Sequence, residues 1–165
     1  MIASLHVATG AAIGIAAARN LRPRALQLLV AVVVGVCGHL LMDAIPHSDY
    51  AFLPDAIVPW VGLGEAFIAI GVVALLSRRQ LGAGEWIPVA AGVVASMAPD
   101  VKFVVRVVAP QYEAAVTRVT DAVHGLHATK PLHVWLAFSG EVLMMLTFFY
   151  LFWRIARGRV TAVRA

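Results

Sequence analysis

The stretch ALQLLVAVVVGVCGHLLMDAI, residues 25–45, has no acidic or basic residue other than His39 before Asp43. At a rise of about 1.5 Å per residue, a helix of this length crosses the roughly 30 Å hydrocarbon core of a bilayer. Proline follows at position 46, and proline cannot continue a helix without strain. The stretch therefore predicts a transmembrane helix whose last turns carry His39 and Asp43.

The composition extends this prediction to the whole chain. Of 165 residues, 61% are hydrophobic and 13% are charged, and the mean hydropathy is +0.86. A soluble domain of this size could not bury so much apolar surface. We expect an all-α, polytopic integral membrane bundle that forms a single domain over residues 1–165. The single cysteine, Cys37, cannot form an internal disulfide and is predicted to be a packing residue.

The apolar runs predict about five transmembrane helices and one interfacial helix. The spans are expected at residues 2–18, 25–45, 57–77, 85–98 and 132–155. Apolar residues recur at helical spacing opposite a polar stripe in residues 110–124, so we expect an amphipathic helix at the membrane surface there, and a candidate lid. The fourth span is short, which places Asp100 below the bilayer surface, and the conformation of residues 101–109 is left open.

The basic residues predict the orientation of these helices. If the five spans alternate, nine of the 13 Lys and Arg residues fall on one side, which the positive-inside rule makes cytoplasmic. The N-terminus is then outside and the C-terminus cytoplasmic. All six histidines face outward, together with Asp43, Asp49, Asp100 and Asp121. Because the basic residues lie at helix ends, they indicate membrane orientation, and no nucleic-acid partner is expected.

The end of the second span carries a candidate metal site. His39 and Asp43 stand four residues apart and so project from one helix face, while the turn at the following proline lets His47 and Asp49 fold back over them. Imidazole and carboxylate groups in this arrangement suit zinc. The alternative is that His39 caps or packs near the helix end and Asp43 pairs with an arginine such as Arg106.

A second group of candidate ligands precedes the last span. His124, His127 and His133 have spacings that suit zinc or another first-row ion, although each taken singly is better explained as a solvated interfacial histidine. Asp100 would supply a further carboxylate ligand. His6, near the outer end of the first span, is placed to reach the same layer or to serve as a packing residue. These residues complete the predicted set of metal ligands.

Two glutamates lie inside predicted spans. Glu65 and Glu141 are each roughly 12 Å from the outer side at the helical rise per residue. An ionisable group at membrane depth costs about 2.5 to 3.5 kcal/mol on insertion scales, so such a residue needs a partner or a function. Two interpretations of these glutamates remain: they line a polar functional cavity, or they are protonated glutamic acids with a structural role.

Several short motifs of the chain resemble one family. His6, the motif GHLLMD at 38–43, the motif APD at 98–100 and the loop at 124–133 are similar to those of the predicted membrane-bound metal-dependent hydrolases, which are bacterial inner-membrane proteins. Lys102 stands where that family has a second aspartate. The resemblance implies location in the bacterial inner membrane and implies a set of metal ligands: His39, Asp43, Asp100, His124 and His127.

Together, these features predict a membrane-embedded, metal-dependent hydrolase. One or two divalent ions, with zinc the expected metal, would activate water against an ester or phosphoester, and Asp49 or an unligated histidine would carry the proton. A lipid or lipid-linked substrate fits the depth of the site in the bilayer. The alternative is a non-catalytic accessory or structural subunit of a larger respiratory or photosynthetic membrane complex, with histidines in contact with haem or pigment. In that case Gly10 and Gly14 would serve contacts with partner helices.

Overall fold

The computed structural model describes residues 2–45, 47–48, 50–123 and 133–162, and these residues form helices joined by short connections, with no strand among them. The all-helical prediction is therefore confirmed. The helices are numbered in chain order, and two short 3-10 turns, Ala98–Asp100 and Pro110–Tyr112, stand on either side of the fifth. Their bounds are α1 Ala3–Asn20, α2 Arg24–Asp43, α3 Val58–Ser77, α4 Ala83–Met97, α5 Val101–Val108, α6 Glu113–Val123 and α7 Val134–Ala162.

Within the described residues, four helical stretches are long and apolar enough to cross a membrane: Arg24–Asp43, Val58–Ser77, Ala83–Val108 and Val134–Gly158. Their outward faces are apolar, and Leu41, Phe67 and Leu136 are each 70% to 73% exposed. Such side chains are stable in contact with lipid. The helices therefore indicate a membrane protein. Cys37 is also exposed on α2, so its prediction as a packing residue is wrong, because it lies on the outward face of that helix.

The fourth predicted span, 85–98, is longer in the structure. The chain passes from α4 through the 3-10 turn Ala98–Asp100 directly into α5, which gives a stretch of 26 residues, Ala83–Val108, that is apolar enough to span. Pro99 does not end the helix because it lies in the first turn of the 3-10 segment, where its missing N–H is not needed for a hydrogen bond. The open connection at 101–109 is therefore mostly helical.

The amphipathic helix predicted at 110–124 corresponds to the turn Pro110–Tyr112 followed by α6, and residue 124 lies outside the described residues. The first predicted span corresponds to α1, which is not among the four stretches with membrane-spanning hydropathy. Instead, 14 of its 18 residues are buried, and it packs against α2, α3, α4 and α7. This helix is the centre of the bundle.

Glycines bring α1 and α4 into backbone contact. A Cβ added at Gly10 would lie 2.4 Å from the carbonyl oxygen of Gly92, and a Cβ added at Gly14 would lie 2.3 Å from that of Pro88. Only glycine allows two helix backbones to approach so closely. Gly10 and Gly14 therefore form helix contacts within this chain. Their interpretation as contacts for a partner subunit is wrong, because α4 occupies that face of α1.

The end of the bundle away from His39 is closed by an ion pair. Arg19, at the end of α1, lies with its Nε 2.9 Å from Oε1 of Glu85 in the first turn of α4. Its guanidinium also donates to the backbone carbonyl of Ile155 on α7. These contacts connect three helices at one end. The start of α1, the end of α2, the start of α3 and the end of α4 meet at the other.

Candidate metal centre

The candidate metal centre begins with two side chains on the last turns of α2. His39 and Asp43 are four residues apart, so they share a helix face, and Nε2 of His39 lies 3.0 Å from Oδ2 of Asp43. His39 is 0% exposed and Asp43 is 3% exposed. The sequence prediction that these two groups converge is correct. The alternative pairing of Asp43 with Arg106 is wrong, because Arg106 pairs with Glu113 on α6.

The central helix α1 contributes the second imidazole. The ring of His6 stacks on that of His39, with the centroids 4.1 Å apart and the planes inclined by 25°. Nε2 of His6 lies 3.5 Å from Oδ1 of Asp43, so the two imidazoles face different oxygens of one carboxylate. His6 is 0% exposed, and neither of its ring nitrogens makes a hydrogen bond to a described residue.

The 3-10 turn after α4 brings in a second carboxylate. Asp100 places Oδ2 at 3.8 Å from Nε2 of His6 and Oδ1 at 3.9 Å from Nε2 of His39. Its side chain is 18% exposed, more than those of the two histidines, so Asp100 forms the open side of the cluster. Three non-adjacent parts of the chain therefore meet at one point.

A backbone hydrogen bond fixes the orientation of the His39 ring. Nδ1 of His39 lies 2.7 Å from the carbonyl oxygen of Ser96 on α4, and a carbonyl can only accept, so Nδ1 carries the proton. In the neutral imidazole, Nε2 then presents a lone pair to the Asp43 carboxylate. Two electron-rich atoms at that distance need a proton or a metal cation between them. Histidine ligands in metal sites are commonly oriented by such a bond to a carbonyl.

Three donor atoms lie close enough together that they could hold a metal ion. His6, His39 and Asp43 each offer one ligand atom, and these three atoms lie within 4.8 Å of one another. A tetrahedral ion bound at its usual distance would hold ligand atoms roughly 3.3 Å apart. Nε2 of His6 lies 3.5 Å from Oδ1 of Asp43 and Nε2 of His39 lies 3.0 Å from Oδ2, so each imidazole is at about this distance from its own oxygen of the carboxylate. Among the described residues, no other group of three or more such donors is found.

The remaining predicted ligands fall elsewhere or outside the described residues. His47 is buried, with Nδ1 2.6 Å from the carbonyl oxygen of Ile45, and it does not belong to the group of three. His133 is exposed just before α7. Asp49, His124 and His127 lie outside the described residues, and their predicted roles stay predictions.

A cavity of about 570 Å³ adjoins the cluster, and Asp43 and Asp100 both line it. Apolar side chains of α3 and α5, Leu63 and Phe103 among them, form part of its wall. Lys102 of α5 also lines it. This volume is in the range of small-molecule sites. The two carboxylates therefore belong at once to the cluster and to a space that a ligand could enter.

The glutamates inside α3 and α7 have hydrogen-bond partners, and of the two Glu141 is fully buried. Glu65 accepts hydrogen bonds from the hydroxyl of Ser4, at 2.5 Å, and from the phenol of Tyr50. The same phenol oxygen accepts the N–H of Ala3 at 3.0 Å. Burial, and then the charge of Glu65, raise the pKa of Tyr50 above its usual range, so the phenol stays a donor. These bonds hold the start of α1, two residues before His6.

Glu141 plays a similar part on α7. Its two carboxylate oxygens accept the backbone N–H of Ser48 at 2.5 Å and the Ser48 hydroxyl at 2.9 Å. Glu141 is 1% exposed, and both bonds fix the connection between α2 and α3 beside the cluster. The sequence marked both glutamates as polar groups in need of partners. It did not identify Ser4, Ser48 and Tyr50, because those partners depend on helix packing.

No protein-family model, curated protein or solved structure matches this chain.

Proposed function

We propose that the chain is a membrane-embedded hydrolase that depends on a divalent metal ion, with zinc the metal that suits the donors best. His6, His39 and Asp43 are the proposed ligands, and Asp100 is the carboxylate beside them. The observation that carries the proposal is that Asp43 and Asp100 belong both to the donor cluster and to the wall of the adjoining cavity. A metal held there would be open to a substrate on one side and enclosed by protein on the other.

The donor types support this assignment. Imidazole nitrogen and carboxylate oxygen are zinc ligands, and a catalytic zinc site keeps one position for water. A metal ion in such a site lowers the pKa of its water toward about 7 and polarises an ester or phosphoester oxygen. The two stacked imidazoles and the Asp43 carboxylate bring two nitrogen ligands and one oxygen ligand together.

The chain's own residues would handle the proton. The water oxygen attacks the carbonyl carbon or the phosphorus, its proton goes to a carboxylate, and the leaving alcohol takes a proton as its bond breaks. Asp100 is the described carboxylate that is partly exposed and faces both the cluster and the cavity. Asp49, the proton carrier suggested by the sequence, lies outside the described residues.

Metal binding by the purified protein tests the proposal. We expect stoichiometric zinc after reconstitution, and at a hundredfold excess of zinc over Kd a gain of about 2.7 kcal/mol in the free energy of unfolding. His39→Ala and Asp43→Asn should abolish both. Cys37→Ala is the matched control, since Cys37 lies on the same helix and is exposed away from the cluster. Its zinc content should equal that of the wild type.

Activity is measured on the same preparations. Zinc-loaded wild-type protein should hydrolyse a chromogenic ester or phosphoester, and Asp100→Asn should reduce kcat more than zinc content, because Asp100 is also the proposed proton acceptor. A wild-type protein that takes up no divalent metal would overturn the proposal. So would His39→Ala and Asp43→Asn variants that bind zinc as tightly as the wild type.

A further inference from the structure

The cavity beside the cluster carries two cationic side chains of α5. Lys102 and Arg106 are four residues apart and therefore lie on one face of that helix, and both line the cavity. Lys102 follows Asp100 by two residues, so the cationic face of α5 begins where the carboxylate cluster ends. The Lys102 side chain is 19% exposed and the Arg106 side chain is 50% exposed.

Both cations are held by acidic residues of α6. Nζ of Lys102 lies 2.8 Å from Oδ1 of Asp121, and Nε of Arg106 lies 2.6 Å from Oε1 of Glu113. The carboxylates of these pairs are 55% and 34% exposed, and Asp121 itself lines the cavity. Ion pairs so accessible to water are weak, so a competing anion can replace them.

The rest of the cavity wall has a polar and an apolar part. The polar part holds the cluster carboxylates Asp43 and Asp100, together with Tyr50 and Asp55. The apolar part includes Val58 and Leu63 of α3, Phe103 and Val104 of α5, and Met97 at the end of α4. A ligand that binds both cations and lies along the apolar part combines an anionic group with an apolar body. Phosphate is the anion that both cations bind well, Lys as a point charge and Arg through its planar group.

We propose that the cavity binds an amphiphile with a phosphate headgroup, in which the phosphate takes the place of Asp121 and Glu113 on Lys102 and Arg106. The apolar chain of the ligand then lies between α3 and α5. Binding of this ligand does not depend on the proposed function, but its hydrolysis does. In that reaction, water oxygen bonds to phosphorus, the phosphorus bond to the alcohol oxygen breaks, and that oxygen takes the proton.

The headgroup interaction is tested without metal. Metal-stripped protein in maltoside micelles is titrated with dodecyl phosphate, with dodecanol and with inorganic phosphate. We expect dodecyl phosphate to bind at least about tenfold tighter than either of the others. Equal binding of dodecanol would overturn the role of the cations. Equal binding of inorganic phosphate would overturn the role of the apolar wall and identify a free phosphate as the ligand.

Variants separate binding from folding. Lys102→Ala should weaken dodecyl phosphate binding about tenfold, whereas Lys102→Arg should retain it. Arg118→Ala is the control, because Arg118 is exposed on α6 and does not line the cavity. Asp121→Asn combined with Glu113→Gln should tighten binding several-fold, since the competing carboxylates are removed. Unchanged or weaker binding in that double variant would overturn the exchange.

The two proposals fail separately. Dodecyl phosphate binding without zinc uptake would leave the headgroup site standing and remove the hydrolase. Zinc uptake without a preference for dodecyl phosphate would remove the headgroup site and leave the metal-dependent hydrolase standing.

Discussion

Replacement of Gly10 by alanine should open the candidate metal centre from a distance. The new Cβ would lie 2.4 Å from the carbonyl oxygen of Gly92 and 2.7 Å from its carbonyl carbon, where ordinary contact begins at 3.4 Å. Both neighbours are backbone atoms, so no side chain can rotate away. Helices α1 and α4 must therefore separate by about 1 Å to accept one methyl group.

This displacement reaches the cluster from both sides. His6 lies one helical turn before Gly10 on α1, and Ser96, whose carbonyl orients His39, lies one turn after Gly92 on α4. Metal–ligand distances tolerate a change of only about 0.2 Å. We therefore expect zinc affinity to fall about 10- to 100-fold, as for other losses of ligand orientation. Overpacking should also cost about 1 to 3 kcal/mol of stability.

Zinc titration and thermal unfolding in detergent measure the two effects on one preparation. Gly71→Ala is the matched control, because Gly71 is a helical glycine of α3 with nothing within 4 Å of an added Cβ. Alanine there should raise helix stability by up to about 1 kcal/mol and leave zinc affinity unchanged. A Gly10→Ala variant that melts at the wild-type temperature and binds zinc with wild-type affinity would refute the coupling of this glycine contact to the cluster.

Two further changes test the contacts that close the ends of the bundle. Arg19→Ala should lower the free energy of unfolding by about 3 kcal/mol, because it breaks the largely buried ion pair with Glu85 and the hydrogen bond to the Ile155 carbonyl. Arg22→Ala, at an exposed position nearby, should change it by less than about 0.5 kcal/mol, and equal effects in thermal melts would contradict the pairing. Tyr50→Phe should cost about 2 kcal/mol, since Glu65 loses a buried donor. A melting temperature equal to that of the wild type would show that this hydrogen bond contributes nothing.

Much of the cluster could be predicted from the sequence. The spacing of His39 and Asp43 places them on one helix face whatever the rest of the fold does. The alternation of successive helices then brings His6 and Asp100 to the same end, because one starts α1 and the other follows α4. Local periodicity was sufficient for His39 and Asp43, whereas for His6 the sequence left a packing role equally open.

The other features of the site depend on helix packing, which the periodicity of the sequence does not describe. The carbonyl of Ser96 is a ligand-orienting group only because α4 lies against α2, and any residue type would offer the same atom. The continuation of α4 into α5 depends on the position of Pro99 in the first turn of the 3-10 segment. A shift of the proline by one residue would destroy this continuation. Lys102 stands out in the sequence only as a departure from a family motif. Its position in the cavity wall follows from that continuation.

The polarity of α1 follows from its place in the fold. Ser4, His6 and Thr9 lower the hydropathy of this helix, and each would be costly against lipid. They are buried instead, because α2, α3, α4 and α7 surround α1 and supply partners such as Glu65. The surrounding helices keep the His6 imidazole fully buried. Since the cluster needs α1, α2 and the end of α4 together, any metal bound there stabilises the closed bundle over its separated helices.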